Sequence, residues 1–246
     1  HDNHPIKNNQ QQHEHHDNDD HNHSGSIVVP KNTVDSIVKK NAISEVHAQK
    51  FGELIIQDAG GRMKPTNTYS SELLRKLSKS DHYEGLNSDQ VLFSMTENPT
   101  LWYNAPLIYV KAKNDSLHHI IGAEKGAKHI ALAQFFDQQG NYKLSPYLES
   151  AYKAKVKNQF QKDFISADEK VNLLYNTLEG KVLRIFPIPN AENNKWISYP
   201  EVMEQKESFT GVDSLYTTNI FPLYLQSVHY AKQNNDYSKA GELLKS

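Results

Sequence analysis

The residues with the clearest capacity for chemistry are histidines near the start of the chain. Residues 1–24 hold seven of the thirteen histidines together with five acidic residues. The most closely spaced are His13, His15, His16, His21 and His23. Imidazole nitrogen is a ligand that suits Zn, Ni and Cu, and a flexible tract can bring several imidazoles around one ion. These five histidines therefore form a candidate metal-binding site.

The composition of the same tract indicates that it does not fold by itself. It contains eight Asn or Gln residues, and Ile6 is its one strongly apolar residue. So little apolar area cannot offset the entropy cost of ordering the chain. We therefore expect a disordered tail over residues 1–26, which must become ordered before it binds a metal. Two interpretations stay open: a native metal-scavenging tract, or a solvated linker or tag remnant whose metal binding has no biological role.

The composition of the whole chain excludes several classes of protein. With 27 basic and 29 acidic residues among 246, the net charge of -2 gives no positive field for nucleic acid. The absence of cysteine removes disulfides, thiolate metal sites and thiol catalysis. The longest apolar runs have four residues, whereas a membrane-spanning helix needs about 20. We predict neither nucleic-acid binding nor membrane insertion by this segment.

The two ends of the sequence suggest part of a longer protein. The chain begins at His1 without an initiator methionine, and it ends at Ser246 inside a helical pattern. No secretory signal is visible, since that would need an apolar run of about 7 to 15 residues. We therefore expect a fragment.

The spacing of apolar residues predicts a mainly α-helical α+β fold. The clearest pattern spans residues 158–179, although a capping signal at Ser166 leaves open a break near Ile165. Further helical patterns cover residues 67–78, 88–98, 145–152, 213–233 and 235–244. The pair Gly60 and Gly61 predicts a hairpin turn. We expect residues 27–246 to form a single domain with one small antiparallel sheet or hairpin.

No catalytic constellation is recognisable in this predicted domain. Asp168 and Glu169 form the tightest acidic pair, but carboxylates are also favoured in the first turn of a helix. The histidines outside the tail are His47, His82, His118, His119, His129 and His229. Each is better explained as a structural or surface residue. The aromatic pairs around Trp102 and Trp196 are better explained by core packing than by ligand stacking. We assign no catalytic residue, and no cofactor-binding residue can be named.

Several stretches of the predicted domain resemble one protein family. They are His47 with residues 51–76 (FGELIIQDAGGRMKPTNTYSSELLRK), 98–110 (NPTLWYNAPLIYV), 194–201 (NKWISYPE) and 220–227 (IFPLYLQS). Together they resemble the large extracytoplasmic region of bacterial System II cytochrome c biogenesis proteins. These are the fused ResB-like and CcsA-type haem-handling synthases. The resemblance extends over about residues 34–246.

The resemblance implies a multi-pass membrane protein that moves haem outward and attaches it to the Cys-x-x-Cys-His of apocytochrome c. This chain would be a periplasmic domain of that protein, not catalytic by itself, which contacts apocytochrome c or organises the membrane-embedded parts. The family's tryptophan-rich haem signature and flanking axial histidines have no match here, because Trp102 and Trp196 are isolated. Haem is thus implied for the parent protein, but no ligand is assigned within this chain.

Two other functions remain as alternatives. One is a periplasmic metal-binding or metal-trafficking protein that acts through the five tail histidines, with Zn, Ni or Cu as its cargo. The other is a hydrolase with an unrecognised site, which only the size of the chain favours. Predicted membrane spans beside this segment would favour haem handling, whereas a free-standing secreted chain would favour metal binding.

Overall fold

The computed structural model of the protein describes residues 29–209 and 211–246. The five predicted metal ligands, His13, His15, His16, His21 and His23, and the predicted tail lie outside these residues. The helices are α1 (Lys31–Lys40), α2 (Glu45–Gly52), α3 (Thr66–Ser78), α4 (Ser88–Glu97), α5 (Pro99–Trp102), α6 (Asp115–Ile121), α7 (Ser145–Lys153), α8 (Gln159–Leu178), α9 (Tyr199–Glu204), α10 (Gly211–Asn234) and α11 (Ser238–Leu243). The strands are β1 (Ile55–Gln57), β2 (Met63–Pro65), β3 (His82–Tyr83), β4 (Leu86–Asn87), β5 (Pro106–Tyr109), β6 (His129–Ala131), β7 (Arg184–Pro187) and β8 (Trp196–Ser198).

The mainly helical α+β class is confirmed, with four small ladders in the described residues where the sequence predicted one. The strands pair antiparallel as β1–β2, β3–β4, β5–β6 and β7–β8. The predicted turn between β1 and β2 is present. Its Asp58 side chain accepts hydrogen bonds from the backbone N–H groups of Gly60 and Arg62, both at 2.9 Å. Gly61 has φ +81°, a conformation in which glycine has no steric penalty.

Helix α8 runs unbroken from Gln159 to Leu178, which resolves the break that the sequence left open. Asn158 caps its start by accepting a hydrogen bond from the N–H of Gln161, and the Gln161 side chain accepts from the N–H of Asn158. Asp168 therefore lies in the middle of the helix, and its explanation as a first-turn carboxylate is wrong. It is buried and accepts hydrogen bonds from the hydroxyls of Tyr142 and Tyr152.

The cap at Asn158 gives a direct stability prediction. We expect Asn158→Ala to lower the free energy of unfolding by about 1 kcal/mol, because the N–H of Gln161 loses the side-chain oxygen that accepts its hydrogen bond. Asn176→Ala, at an exposed position inside the same helix, should change it by less than about 0.5 kcal/mol. Urea denaturation measures both variants. Equal effects at the two positions would contradict the capping role.

Five of the helices in the described residues were not predicted from the sequence: α1, α2, α5, α6 and α9. The two longest of them are α1 and α2. Helix α1 buries Val34 and Val38, one turn apart, and α2 begins where the Ser44 hydroxyl accepts a hydrogen bond from the N–H of His47. The available signals were the cap at Ser44 and the spacing of His47 and Phe51 by four residues. Short apolar clusters before and after these residues obscured the helical spacing, so neither helix was predicted.

The apolar core is formed mainly by α2, α3, α4, β5 and α8. Its largest fully buried side chain belongs to Trp102, whose indole N–H donates to the Ser94 hydroxyl at 3.0 Å. This confirms core packing for Trp102.

A second, smaller cluster joins the β7–β8 ladder to α9 and the region before α10; it contains Phe186, Ile197, Val202 and Phe209. No helix within the described ranges has the length and hydropathy that crossing a membrane requires.

Candidate functional site

An apolar cavity of about 510 Å³ lies between α10 and the β7–β8 ladder, with the end of α2 and residues 243–246 completing its wall. This volume is within the range of about 300 to 1,000 Å³ that is typical of ligand sites. Seven aromatic residues line it: Phe51, Phe186, Trp196, Phe209, Tyr216, Phe221 and Tyr224. Asp213 is the one charged residue among those that line the cavity. The arrangement suits an apolar ligand that carries a positive charge at one end.

One buried glutamine fixes the β8 side of the cavity. Gln57, at the end of β1, is 6% exposed. Its side-chain oxygen accepts a hydrogen bond from the N–H of Trp196 at 2.7 Å, and its side-chain nitrogen donates to the carbonyl oxygens of Asn194 at 3.2 Å and Gly61 at 3.3 Å. The side-chain amide of Gln57 thus makes hydrogen bonds that backbone groups would make if β1 and β8 were paired strands. Trp196 keeps its position in the cavity wall because of these bonds.

Helix α10 supplies the opposite wall. Tyr216, Ile220 and Tyr224 line the cavity, and their spacing of four residues places them on one face of the helix. The neighbouring Leu215 does not line the cavity and is 70% exposed. Tyr199 packs on Phe221, with ring centroids 5.1 Å apart, and this contact joins α9 to α10.

A buried histidine and tyrosine pair lies at the inner end of the cavity. His47 Nε2 is 2.9 Å from the hydroxyl oxygen of Tyr224, and the ring of Tyr237 stacks on His47 with centroids 4.9 Å apart. Burial, and then the nearby charge of Lys50, lowers the pKa of His47 to about 4. Burial also raises the pKa of Tyr224. Both groups are therefore neutral near pH 7, and one hydrogen bond joins the imidazole Nε2 to the phenol oxygen.

The remaining histidines are dispersed, as the sequence analysis expected for structural residues. His118 is buried, and its two ring nitrogens lie 2.6 and 2.7 Å from the carbonyl oxygens of Asn114 and Ala127. His82, His119, His129 and His229 are exposed. Within the described part of the chain, no three His, Asp or Glu residues are grouped so that they could hold a metal ion.

Trp196, like Asp168, has a role that was predicted wrongly from the sequence. It is half-buried and lines the cavity, whereas core packing was the expectation. Sequence could not show this, because its position depends on Gln57, which is 139 residues away along the chain. The preceding run with Pro187 and Pro189 indicated only an extended segment.

The residues that line the cavity do not fit haem. They include no His or Met that could act as an axial ligand and no Lys or Arg that could pair with the propionates. The charged group present, Asp213, would repel propionate carboxylates. The Tyr224 hydroxyl is already hydrogen-bonded to His47. We therefore derive no step through haem for this cavity.

Comparison with known proteins relates the chain to another bacterial protein. No family model matches the chain. It is similar to Protein NrfI of Wolinella succinogenes, with 33% identity over 172 residues. The match covers 68% of this chain and 19% of the relative, so the chain spans about a fifth of the relative's length. This similarity supports a relationship to cytochrome c biogenesis, in agreement with the resemblance noted in the sequence.

Proposed function

We propose that this chain is a periplasmic, extracytoplasmic domain of a System II cytochrome c biogenesis protein of the fused ResB-like and CcsA-type, and that it docks apocytochrome c. The similarity to NrfI supports the pathway. The aromatic cavity beside α10 supports a docking role, because it presents packing surface without a nucleophile and base pair. The membrane-embedded parts of such a protein are the other proposed partners.

The chemistry of the cavity favours an unfolded chain over a folded one. An apocytochrome exposes the apolar and aromatic side chains that the folded cytochrome buries around its haem. Aromatic walls such as those of Phe186, Trp196 and Phe221 give large contact areas to such side chains. Asp213 at the same cavity adds a preference for a segment that also carries lysine or arginine. The single observation that carries the proposal is this combination of aromatic walls and one carboxylate.

The two tryptophans of the chain provide a direct test of occupancy. Trp196 lines the cavity, whereas Trp102 is fully buried in the core. We expect a tryptophan-free apocytochrome c fragment, containing reduced Cys-x-x-Cys-His, to change the fluorescence of the chain saturably. The Trp196→Phe variant, which keeps Trp102, should show no such change.

Substitutions at two neighbouring positions on α10 distinguish a loss of docking from a general disturbance of the helix. Tyr216, which is 44% exposed in the free chain, contributes one ring of the aromatic wall. Tyr216→Asp should weaken apocytochrome binding about tenfold or more, because the ring contact is lost and a bound apolar segment would cover the new carboxylate. Leu215→Asp makes the same kind of change at the exposed neighbouring position and should alter affinity less than about twofold. Calorimetric titration measures both variants. Equal affinities for the two would contradict docking in the cavity.

Metal binding by His13, His15, His16, His21 and His23 is a separate proposal, supported by their residue type and spacing in the sequence. Titration of Zn(II) into the chain with and without residues 1–24 tests it. We expect the high-affinity phase to disappear on truncation. Equal affinity in both forms would eliminate the tail as a metal site.

A further inference from the structure

A buried lysine in the middle of α8 has no carboxylate partner among the described residues. Lys170 is 6% exposed, and its ammonium donates a hydrogen bond to the carbonyl oxygen of Tyr109 at 2.9 Å. The same nitrogen lies 5.3 Å from the centroid of the Tyr109 ring. A buried charge is costly unless it is paired. The carbonyl satisfies one of its three N–H donors.

The surroundings of Lys170 add positive charge. It lines a cleft of about 110 Å³ together with Lys79, Lys111, Ser166 and Asp163. Asp163 forms an ion pair with Lys111, with a distance of 2.7 Å between the charged atoms. Three ammonium groups and one carboxylate line the cleft, and Glu169, next to Lys170 in the chain, adds a second carboxylate whose charge acts on Lys170, so one positive charge stays unmatched. Burial first, and then the charge of Lys79, lowers the pKa of Lys170, while the charges of Glu169 and Asp163 act in the opposite direction.

Three elements of the fold hold these groups in place. Lys79 follows the end of α3, where it adopts φ 65°. Lys111 lies just beyond the end of β5, and Ser166 and Lys170 are one turn apart on α8. The cleft is therefore part of the folded body, on residues other than those that line the apolar cavity.

We propose that this cleft binds a small oxyanion, a phosphate or carboxylate group. Lysine ammoniums bind such groups through charge-assisted hydrogen bonds, and the Ser166 hydroxyl supplies a further donor. A volume of about 110 Å³ corresponds to three or four water molecules at about 30 Å³ each, which suits one such group. This site goes beyond the proposed docking of apocytochrome c and does not depend on it.

The site is tested by NMR on a chain whose lysines carry an isotope label at the side-chain nitrogen, so that the signal of each ammonium group is observed. Inorganic phosphate and acetate are titrated separately at constant ionic strength, with chloride as the balancing anion. We expect a saturable shift of the Lys170 signal with at least one of them, and its loss in Lys170→Met. Lys79→Gln and Lys111→Gln should each weaken binding about tenfold, because each removes one charge-assisted contact. Lys76→Gln, at an exposed position on α3 outside the cleft, is the control.

Each outcome decides a part of the proposal. Saturation by phosphate alone identifies a phosphate group as the ligand, and saturation by acetate alone identifies a carboxylate. If both anions saturate the site, the one that binds with the higher affinity identifies the preferred group. If Lys170→Met fails to fold, the two exposed positions, Lys79 and Lys111, still decide the matter. Non-saturating shifts, or equal affinities in Lys79→Gln, Lys111→Gln and Lys76→Gln, would overturn the proposal.

Discussion

Replacement of Gln57 by alanine is expected to lower the free energy of unfolding by about 2 to 4 kcal/mol. The variant leaves the N–H of Trp196 and the carbonyl of Asn194 without the side-chain partner that they have across the β1 to β8 contact. Each buried polar group that loses its partner costs about 1 to 3 kcal/mol. Because the same bonds hold Trp196 in the cavity wall, the substitution should also open this side of the cavity.

Urea denaturation measures the stability change, and the emission spectrum reports the cavity wall. In Gln57→Ala, the emission of Trp196 should shift to longer wavelength as water reaches the indole, while Trp102 in the core stays unchanged. Gln49→Ala is a matched control at an exposed position on α2 and should change stability by less than about 0.5 kcal/mol. A loss below about 1 kcal/mol for Gln57→Ala, with an unchanged spectrum, would show that the amide does not hold the wall.

Acidification from pH 6.5 to 4 is expected to remove about 2 to 3 kcal/mol of stability through His47 alone. In the unfolded chain this imidazole binds a proton below its ordinary pKa of 6.5, whereas in the folded chain burial lowers the pKa to about 4. The unfolded state therefore binds more protons within this window, so stability falls as the pH falls. Each unit of pKa difference corresponds to about 1.4 kcal/mol.

The measurement must separate the contribution of His47 from that of the carboxylates, which titrate in a similar pH range. The double variant His47→Phe with Tyr224→Phe removes the titrating group and its hydrogen-bond partner together, which can be nearly neutral at pH 7. Its stability should decline less steeply between pH 6.5 and 4 than that of the unmodified chain. Parallel pH profiles for the two chains would contradict the assignment of a low pKa to His47.

Local features of the fold were predictable because their causes are local. The apolar spacing of α8 identified that helix, and Gly60 with Gly61 identified the β1–β2 turn. The helical pattern over residues 145–152 identified α7. In each case the sequence signal and the physical cause lie within a few residues of each other.

The candidate site was not predictable because its contacts join distant parts of the chain. Gln57 bonds to the backbone 139 residues away, and His47 bonds to Tyr224 across 177 residues. The sequence showed histidine, tyrosine and tryptophan as isolated residues, each of which core packing explained adequately. Their convergence around one cavity depends on how α10 packs against α2 and the β7–β8 ladder. The same reason hid Lys170, which the helical pattern alone does not place near Lys79 and Lys111.

Photo-crosslinking from α10 tests the docking proposal most directly. Benzoylphenylalanine is placed at position 216, where Tyr216 lines the cavity, or at position 215, where Leu215 is exposed beside it. Each chain is irradiated with reduced apocytochrome c. We predict an adduct from position 216 that excess unlabelled apocytochrome c suppresses, and little adduct from position 215. Equal yields at both positions, or no adduct at either, would contradict the docking of apocytochrome c in this cavity.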